Sequence, residues 1–201
     1  MELLFKVNEI IQWGGFLIII FLVFAETGLL LGLVLPGGET LVFTAGLLVS
    51  TGTLNTSLLI LLMSLIMAGI AGDACGYWIG RKIGRKLYSK KDTWYFKKRF
   101  LHGAESYLQK HRKGALFFGK FLPVVRPFVP MISGTTRMSF HYFLPVTALA
   151  CVVYIGSFAI LGYFLGTQFP VIREYIGWIV PVSILITVFI AFRQIKKLKT
   201  Q

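Results

Sequence analysis

Six ionisable side chains interrupt otherwise apolar stretches of the chain: Glu26, Glu39 and Asp73 in its first half, Lys120, Arg126 and Arg137 in its second. A charge at membrane depth costs ~2.5–3.5 kcal/mol on insertion scales, so residues of this kind are usually paired or functional. Their chemistry divides in two. Arginine stays charged and presents a planar fork that takes a phosphate through two bonds, so Arg126, with Lys120 and Arg137, suits an anionic head group. Carboxyls exchange protons, so Glu39, Asp73 and Glu26 suit proton coupling. The competing reading is a structural network that only holds segments together. It weighs most for Glu26 and Arg137, which lie near segment ends, where a long side chain can reach water.

The surrounding composition explains why these charges matter. Of 201 residues, 56% are apolar and only 14% charged, with 21 Lys and Arg against 8 Asp and Glu and a net charge of +13. A soluble domain has roughly a quarter of its residues charged. Most of the basic excess is confined to residues 81–113, with 12 basic and 2 acidic side chains, and to four basic residues between Arg193 and Lys199. An ordinary soluble globular protein is thereby excluded. Nucleic-acid binding is excluded as well, because basic clusters beside membrane-length apolar runs mark the cytoplasmic side of a membrane protein.

Crossing a ~30 Å hydrocarbon core takes about 20 apolar helical residues. Clean spans are expected at Ile10–Ala25, Leu58–Gly80, Tyr142–Gly166 and Tyr175–Phe192. Two further segments are broken. Thr27–Val49 is interrupted by Pro36-Gly37-Gly38-Glu39, and Ala115–Thr136 contains Pro123, Pro127 and Pro130. Proline lacks an N–H and paired glycines unwind helix cheaply, so backbone groups are freed there. Such groups survive at membrane depth only when buried in protein or lining a wet cavity. At about 22 residues, each broken segment is too short for two crossings and reads as a re-entrant hairpin. With both basic clusters in the cytoplasm, parity places the hairpins on opposite faces and both termini inside.

Self-comparison supports this arrangement. Gly32-x3-Pro36-x2-Glu39 recurs as Gly119-x3-Pro123-x2-Arg126, and Gly76-Tyr77-x2-Gly80 as Gly162-Tyr163-x2-Gly166, at offsets of 87 and 86. Copies that start on opposite faces form an inverted repeat, which in transporters places a substrate site near the midplane. Glu39 and Arg126 occupy equivalent repeat positions and are expected to meet. The expected fold is an all-α polytopic membrane protein. Each half is a re-entrant helical hairpin plus a transmembrane helix, with extra N- and C-terminal transmembrane helices. The chain is one membrane domain, 1–201: an interfacial amphipathic helix at 1–13, first repeat 26–80, cytoplasmic basic loop 81–113, second repeat 114–166, last span 175–192 and cytoplasmic tail 193–201. A cleaved signal peptide is not expected, since the start lacks a basic region and a cleavage site.

Enzymatic readings fare worse. Lys120-x5-Arg126-Pro127 with Arg137 and His141 is faintly similar to membrane lipid phosphatases, but Thr135 follows Ser133-Gly134 where a histidine is needed, and no Asp follows His141. His102 and His111 lie among basic residues and read as a solvated face. No metal or cofactor pattern emerges. Cys75 and Cys151 read as plain buried residues. Trp94, Tyr95 and Phe96, amid Lys90–Arg99, read as an anchor on anionic lipid.

The chain resembles the DedA family, part of the SNARE-associated Golgi protein or VTT-domain superfamily. The resemblance is carried by Glu26, Pro36-Gly37-Gly38-Glu39, Gly72-Asp73-x2-Gly76-Tyr77-x-Ile79-Gly80-Arg81 and Phe118-Gly119-Lys120-Phe121-x-Pro123-x2-Arg126, continuing through Pro130, Ser133-Gly134, Met138 and Phe143. It implies a bacterial inner-membrane protein that moves lipid between leaflets, undecaprenyl phosphate or phosphatidylethanolamine, in dependence on the proton gradient. The essential acids and arginines of the family map to Glu39, Arg126 and Asp73. Two positions depart from its pattern: Gly119-Lys120 stands for Gly-Arg, and Ser133-Gly134 for Ala-Gly. The expected function is thus a non-enzymatic lipid transporter or flippase whose partners are the bilayer, a membrane lipid and protons; homo-oligomerisation is compatible with it. A proton-coupled exporter of small cations or drugs and a non-transport envelope scaffold are the alternatives.

Overall fold

The computed structural model describes residues 2–28, 38–89, 106, 114–122 and 125–169. Among them every regular element is helical. Helix α1 spans Glu2–Gly28, α2 Gly38–Ser50 and α3 Leu58–Ser89. A helical stretch at 114–118 runs into a 3-10 turn, Gly119–Phe121. Helix α4 spans Phe128–Thr135 and α5 Phe140–Gln168. Pro36, Gly37, Pro123, the loop aromatics, the 175–192 span and the basic tail lie outside the described residues.

Leu58–Lys82 and Phe140–Gln168 are each long and apolar enough to cross a bilayer. Helix α2, with 13 residues, and α4, with 8, extend about 20 and 12 Å and cannot. The turn between α2 and α3 follows from local chemistry. Gly52 takes a left-handed φ of 73° just past the end of α2, a conformation that side chains resist, and the Ser57 hydroxyl accepts the Ile60 N–H at 3.3 Å where α3 begins.

The N-terminal segment continues past Trp13 in one unbroken helix, Glu2–Gly28. Two boundaries differ from the sequence expectation. Helix α3 runs nine residues into the basic segment. Pro130 is no break, since as the third residue of α4 its missing N–H would have had no partner within the helix. Helix α2 starts inside the expected Pro36–Glu39 break, at Gly38.

The exterior of the long helices is their most apolar part. Leu59, Met63 and Met67 form an exposed stripe along α3, and Leu149, Val153, Ile160 and Phe164 stand exposed on α5. Their inward faces carry small residues. On α5, Gly162 lies on the Phe43 carbonyl of α2, while Gly46 of α2 lies on the Ala159 carbonyl. The crossing of α3 and α4 repeats this chemistry: Gly80 lies on the Met131 carbonyl and Gly134 on that of Tyr77. A Cβ at any of the four would strike backbone. Such approaches hold helices together where lipid offers no hydrophobic drive.

Two apolar clusters flank a polar seam. One gathers Val23, Val42, Ala45, Leu61, Leu65, Tyr154, Ile155 and Ala159; the other gathers Tyr77, Leu116, Phe128, Met131, Ile132 and Phe143. Between them along α3 comes Asp73, and along α5 Thr147, both fully buried. The glycine crossings carry a direct test. G46L and G134L should each lower stability by about 1–3 kcal/mol in thermal unfolding of detergent-purified protein. G156A should not, because nothing lies within 4 Å of the Cβ it adds; parental stability in G46L would refute the close crossing.

Candidate functional site

Arg126 lies in the turn leading into α4, with its backbone N–H bonded to the Leu122 carbonyl at 2.9 Å, and is 6% exposed. Its Nη1 donates to Tyr154 Oη at 2.5 Å and to Glu39 Oε1 at 3.3 Å, and stands 3.7 Å from Glu26 Oε1. The guanidinium carbon also lies 4.3 Å from the centre of the Tyr154 ring, a cation–π contact that gains strength when desolvated. Three helices supply these partners: Glu26 from the last turn of α1, Glu39 from the first turn of α2, and Tyr154 from the middle of α5.

The start of α2 is shaped for this cluster. Its free N–H groups and the positive end of its dipole favour carboxylates. Glu26 Oε1 accepts the Gly38 N–H at 3.2 Å, and a Cβ at Gly38 would collide with both Glu26 oxygens. The lack of a Cβ at Gly38 leaves room for α1 to bring a carboxylate onto the backbone of α2. Within the cluster, Glu39 is the accessible member, its side chain 30% exposed against 7% for Arg126.

A second cluster adjoins the first and is closed. Lys120, in the 3-10 turn and 3% exposed, forms an ion pair with Asp73 Oδ2. The same oxygen accepts from Thr147 Oγ1 at 2.6 Å and from Cys151 Sγ at 3.4 Å, and Lys120 Nζ also donates to Cys151 Sγ at 2.9 Å. Asp73 Oδ1 is buried without a hydrogen bond among the described residues.

Five of the six charges singled out in the sequence thus converge. Arg137 does not. It occupies an exposed turn after α4 with φ 55°, its N–H on the Gly134 carbonyl, because the chain leaves the interior as soon as α4 ends. His141 is exposed at the start of α5. Cys75 is only partly buried, and Cys151, far from a plain core residue, touches both ions of the closed cluster. Sequence reasoning missed Thr147, Cys151 and Tyr154. Their spacing of four and three residues puts them on one face of a helix, a polar stripe in a lipid-length segment that would have marked them.

Chemically, the arrangement offers one buried fork with two carboxylates around it. An arginine held this way can exchange a carboxylate for another oxyanion without moving its own backbone. A profile of the VTT domain matches residues 35–164, which contain Glu39, Asp73, Lys120, Arg126 and Tyr154. The chain is 36% identical to an uncharacterized membrane protein of Mycobacterium leprae, over 76% of this chain and 67% of that one. It is 34% identical to the DedA protein of Escherichia coli K12, over 78% and 71%. It is 31% identical to undecaprenyl phosphate transporter A of Bacillus subtilis, over 86% and 88%. No solved structure matches the chain. With a VTT domain over most of its length, apolar helices of membrane-crossing length and relatives named as membrane proteins, the chain belongs to the DedA family of bacterial membrane proteins.

Proposed function

We propose that the protein moves a phosphate-headed lipid between the leaflets of the bacterial inner membrane, with Arg126 holding the head group and the hydrocarbon tail left in the bilayer. The observation that carries this reading is the setting of Arg126. A guanidinium, 6% exposed, meets carboxylates from two other helices, one of them partly open to the outside. A lipid phosphate entering beside Glu39 takes over the fork, which fits it through two bonds. The relative named undecaprenyl phosphate transporter A favours a polyprenyl phosphate as the cargo.

Charge counting supports a coupled proton. One guanidinium faces two carboxyls in this cluster, so full ionisation leaves an uncompensated negative charge in a poorly solvated place, and a phosphate would add more. A proton carried on Glu39 or Glu26 relieves both states, and its release on one side would bias the site to open there. The short helices α2 and α4 serve in this reading as the inner limbs of two re-entrant hairpins entering from opposite faces. Each packs on the long helix of the other half, α2 on α5 and α4 on α3, as an inverted repeat with exchanged hairpins would.

Reconstituted vesicles test the proposal. R126Q should reduce translocation of undecaprenyl phosphate on the order of 10²-fold, the usual consequence of removing one member of a buried charge pair. R126K should keep a part of it as a point charge. Unchanged transport in R126Q would end the proposal. E39Q should leave head-group binding within a few-fold of the parent while abolishing the response to an imposed pH gradient; a parental response to the gradient would remove Glu39 from the coupling step.

A further inference from the structure

Lys120 and Asp73 lie one step from Arg126 and have the chemistry to take part in cargo binding and proton transfer, yet their geometry is that of a sealed unit. Lys120 is 3% exposed and Asp73 0%. Lys120 Nζ is engaged by Asp73 Oδ2 and, at 2.9 Å, by Cys151 Sγ. Asp73 Oδ2 receives, besides the ammonium, the Thr147 hydroxyl at 2.6 Å and the Cys151 thiol at 3.4 Å. The two charges cancel locally, and their donors and acceptors come from three elements: α3, the 3-10 turn and α5.

We infer that Lys120 and Asp73 are positioning residues, a self-neutralised pin that fixes the 3-10 turn between α3 and α5 and so sets where Arg126 stands. This inference rests on the reading of Arg126 as the head-group residue. Three observations carry it. The turn Gly119–Phe121 ends the helical stretch 114–121 with tighter bonding, the Leu122 N–H on the Gly119 carbonyl at 3.3 Å, a hydrogen-bond geometry poorer than that of an α-helix. Arg126 follows closely, and its backbone N–H is bonded to the Leu122 carbonyl at 2.9 Å, directly after that turn, so a shift of the turn carries Arg126 with it. Finally, the α5 face that holds the pin through Thr147 and Cys151 continues within one helical turn to Tyr154, whose hydroxyl accepts from Arg126. One rigid face of α5 therefore reads both clusters, and a slip of α5 along its axis would break both together. A Lys120 recruited to a phosphate would instead leave Asp73 charged, buried and without its ion partner, a strongly unfavourable state.

The test uses the full chain in a C75S background, where Cys151 is the only cysteine left. Two readouts are followed: alkylation of Cys151 by N-ethylmaleimide in detergent, and undecaprenyl phosphate translocation in vesicles. D73N and K120M singly should each raise the alkylation rate about tenfold or more, because each leaves the remaining partner unpaired and loosens the pin, and each should cut translocation by a similar factor. D73N/K120M, which removes both charges and keeps the volume filled, should restore slow alkylation and return translocation to within a few-fold of the parent with its pH-gradient response intact. If the double variant alkylates slowly but does not translocate, Lys120 contributes directly to the cargo and the pin is overturned. Translocation without a gradient response in the double variant would make Asp73 a proton carrier and overturn it as well. If alkylation is equally slow in all variants, there is no pin. Should the parent itself fail to translocate the lipid while the alkylation pattern holds, the pin stands and the head-group reading of Arg126 is what fails.

Discussion

A charged side chain away from water must be matched by an opposite charge or by hydrogen bonds, and in this protein no element meets that need alone. Arg126 draws on α1, α2 and α5. Asp73 draws on the 3-10 turn and on α5. The effective penalty of burying an ion is several kcal/mol even after relaxation, so the helices that carry these residues are obliged to approach closely and in one register. The remaining features follow from that obligation.

Close approach is achieved by removing side chains. At the crossing of α2 with α5 and at that of α3 with α4, glycines on each partner rest on carbonyls of the other. Gly38 serves the same end at the polar seam, where it leaves room for the Glu26 carboxylate against the first N–H of α2. The outer faces are free of this constraint and carry the large apolar residues, such as Leu59, Met67 and Phe164. A protein arranged this way keeps its charges and its closest glycine contacts inside and, besides its buried apolar clusters, presents large apolar side chains outward, the surface a hydrocarbon solvent demands.

The two charged clusters differ in a manner that matters for chemistry. The Asp73–Lys120 cluster is internally neutral and sealed, with a hydroxyl and a thiol donating to the same Asp73 oxygen as the ammonium. The Arg126 cluster has one more acid than base and is open at Glu39. An imbalance at an accessible edge is where a ligand or a proton can enter at least cost, and a balanced interior pair is where geometry is held. Under the proposed function, that division separates the residue that would hold the cargo from those that would set its position.

Much of this was legible in the residues themselves. Spans end where polar turns and caps dictate, as at Ser57 before α3, because helix termini depend on local hydrogen bonding. Glu39 and Arg126 could be paired in advance, because a repeated Gly-Pro pattern put them at matching positions. Other features could not be read locally. Pro130 looked like a break and lies in a helical first turn, since the effect of a proline depends on whether its N–H would have had a partner. Basic residues beyond Gly80 looked like loop and continue α3. Arg137 resembled the other intramembrane bases in sequence and is exposed, while Lys120 is consumed by Asp73 instead of facing outward. The amino-acid sequence by itself determined the two membrane-length helices at Leu58–Lys82 and Phe140–Gln168 and the short set of charges that matter, because these depend on hydropathy and spacing along one chain. Which acid takes Lys120, and which base is left outside, was decided only by the tertiary structure, because burial and partnership are set by helix crossings between residues far apart in the chain, Glu26 and Arg126 being 100 positions apart.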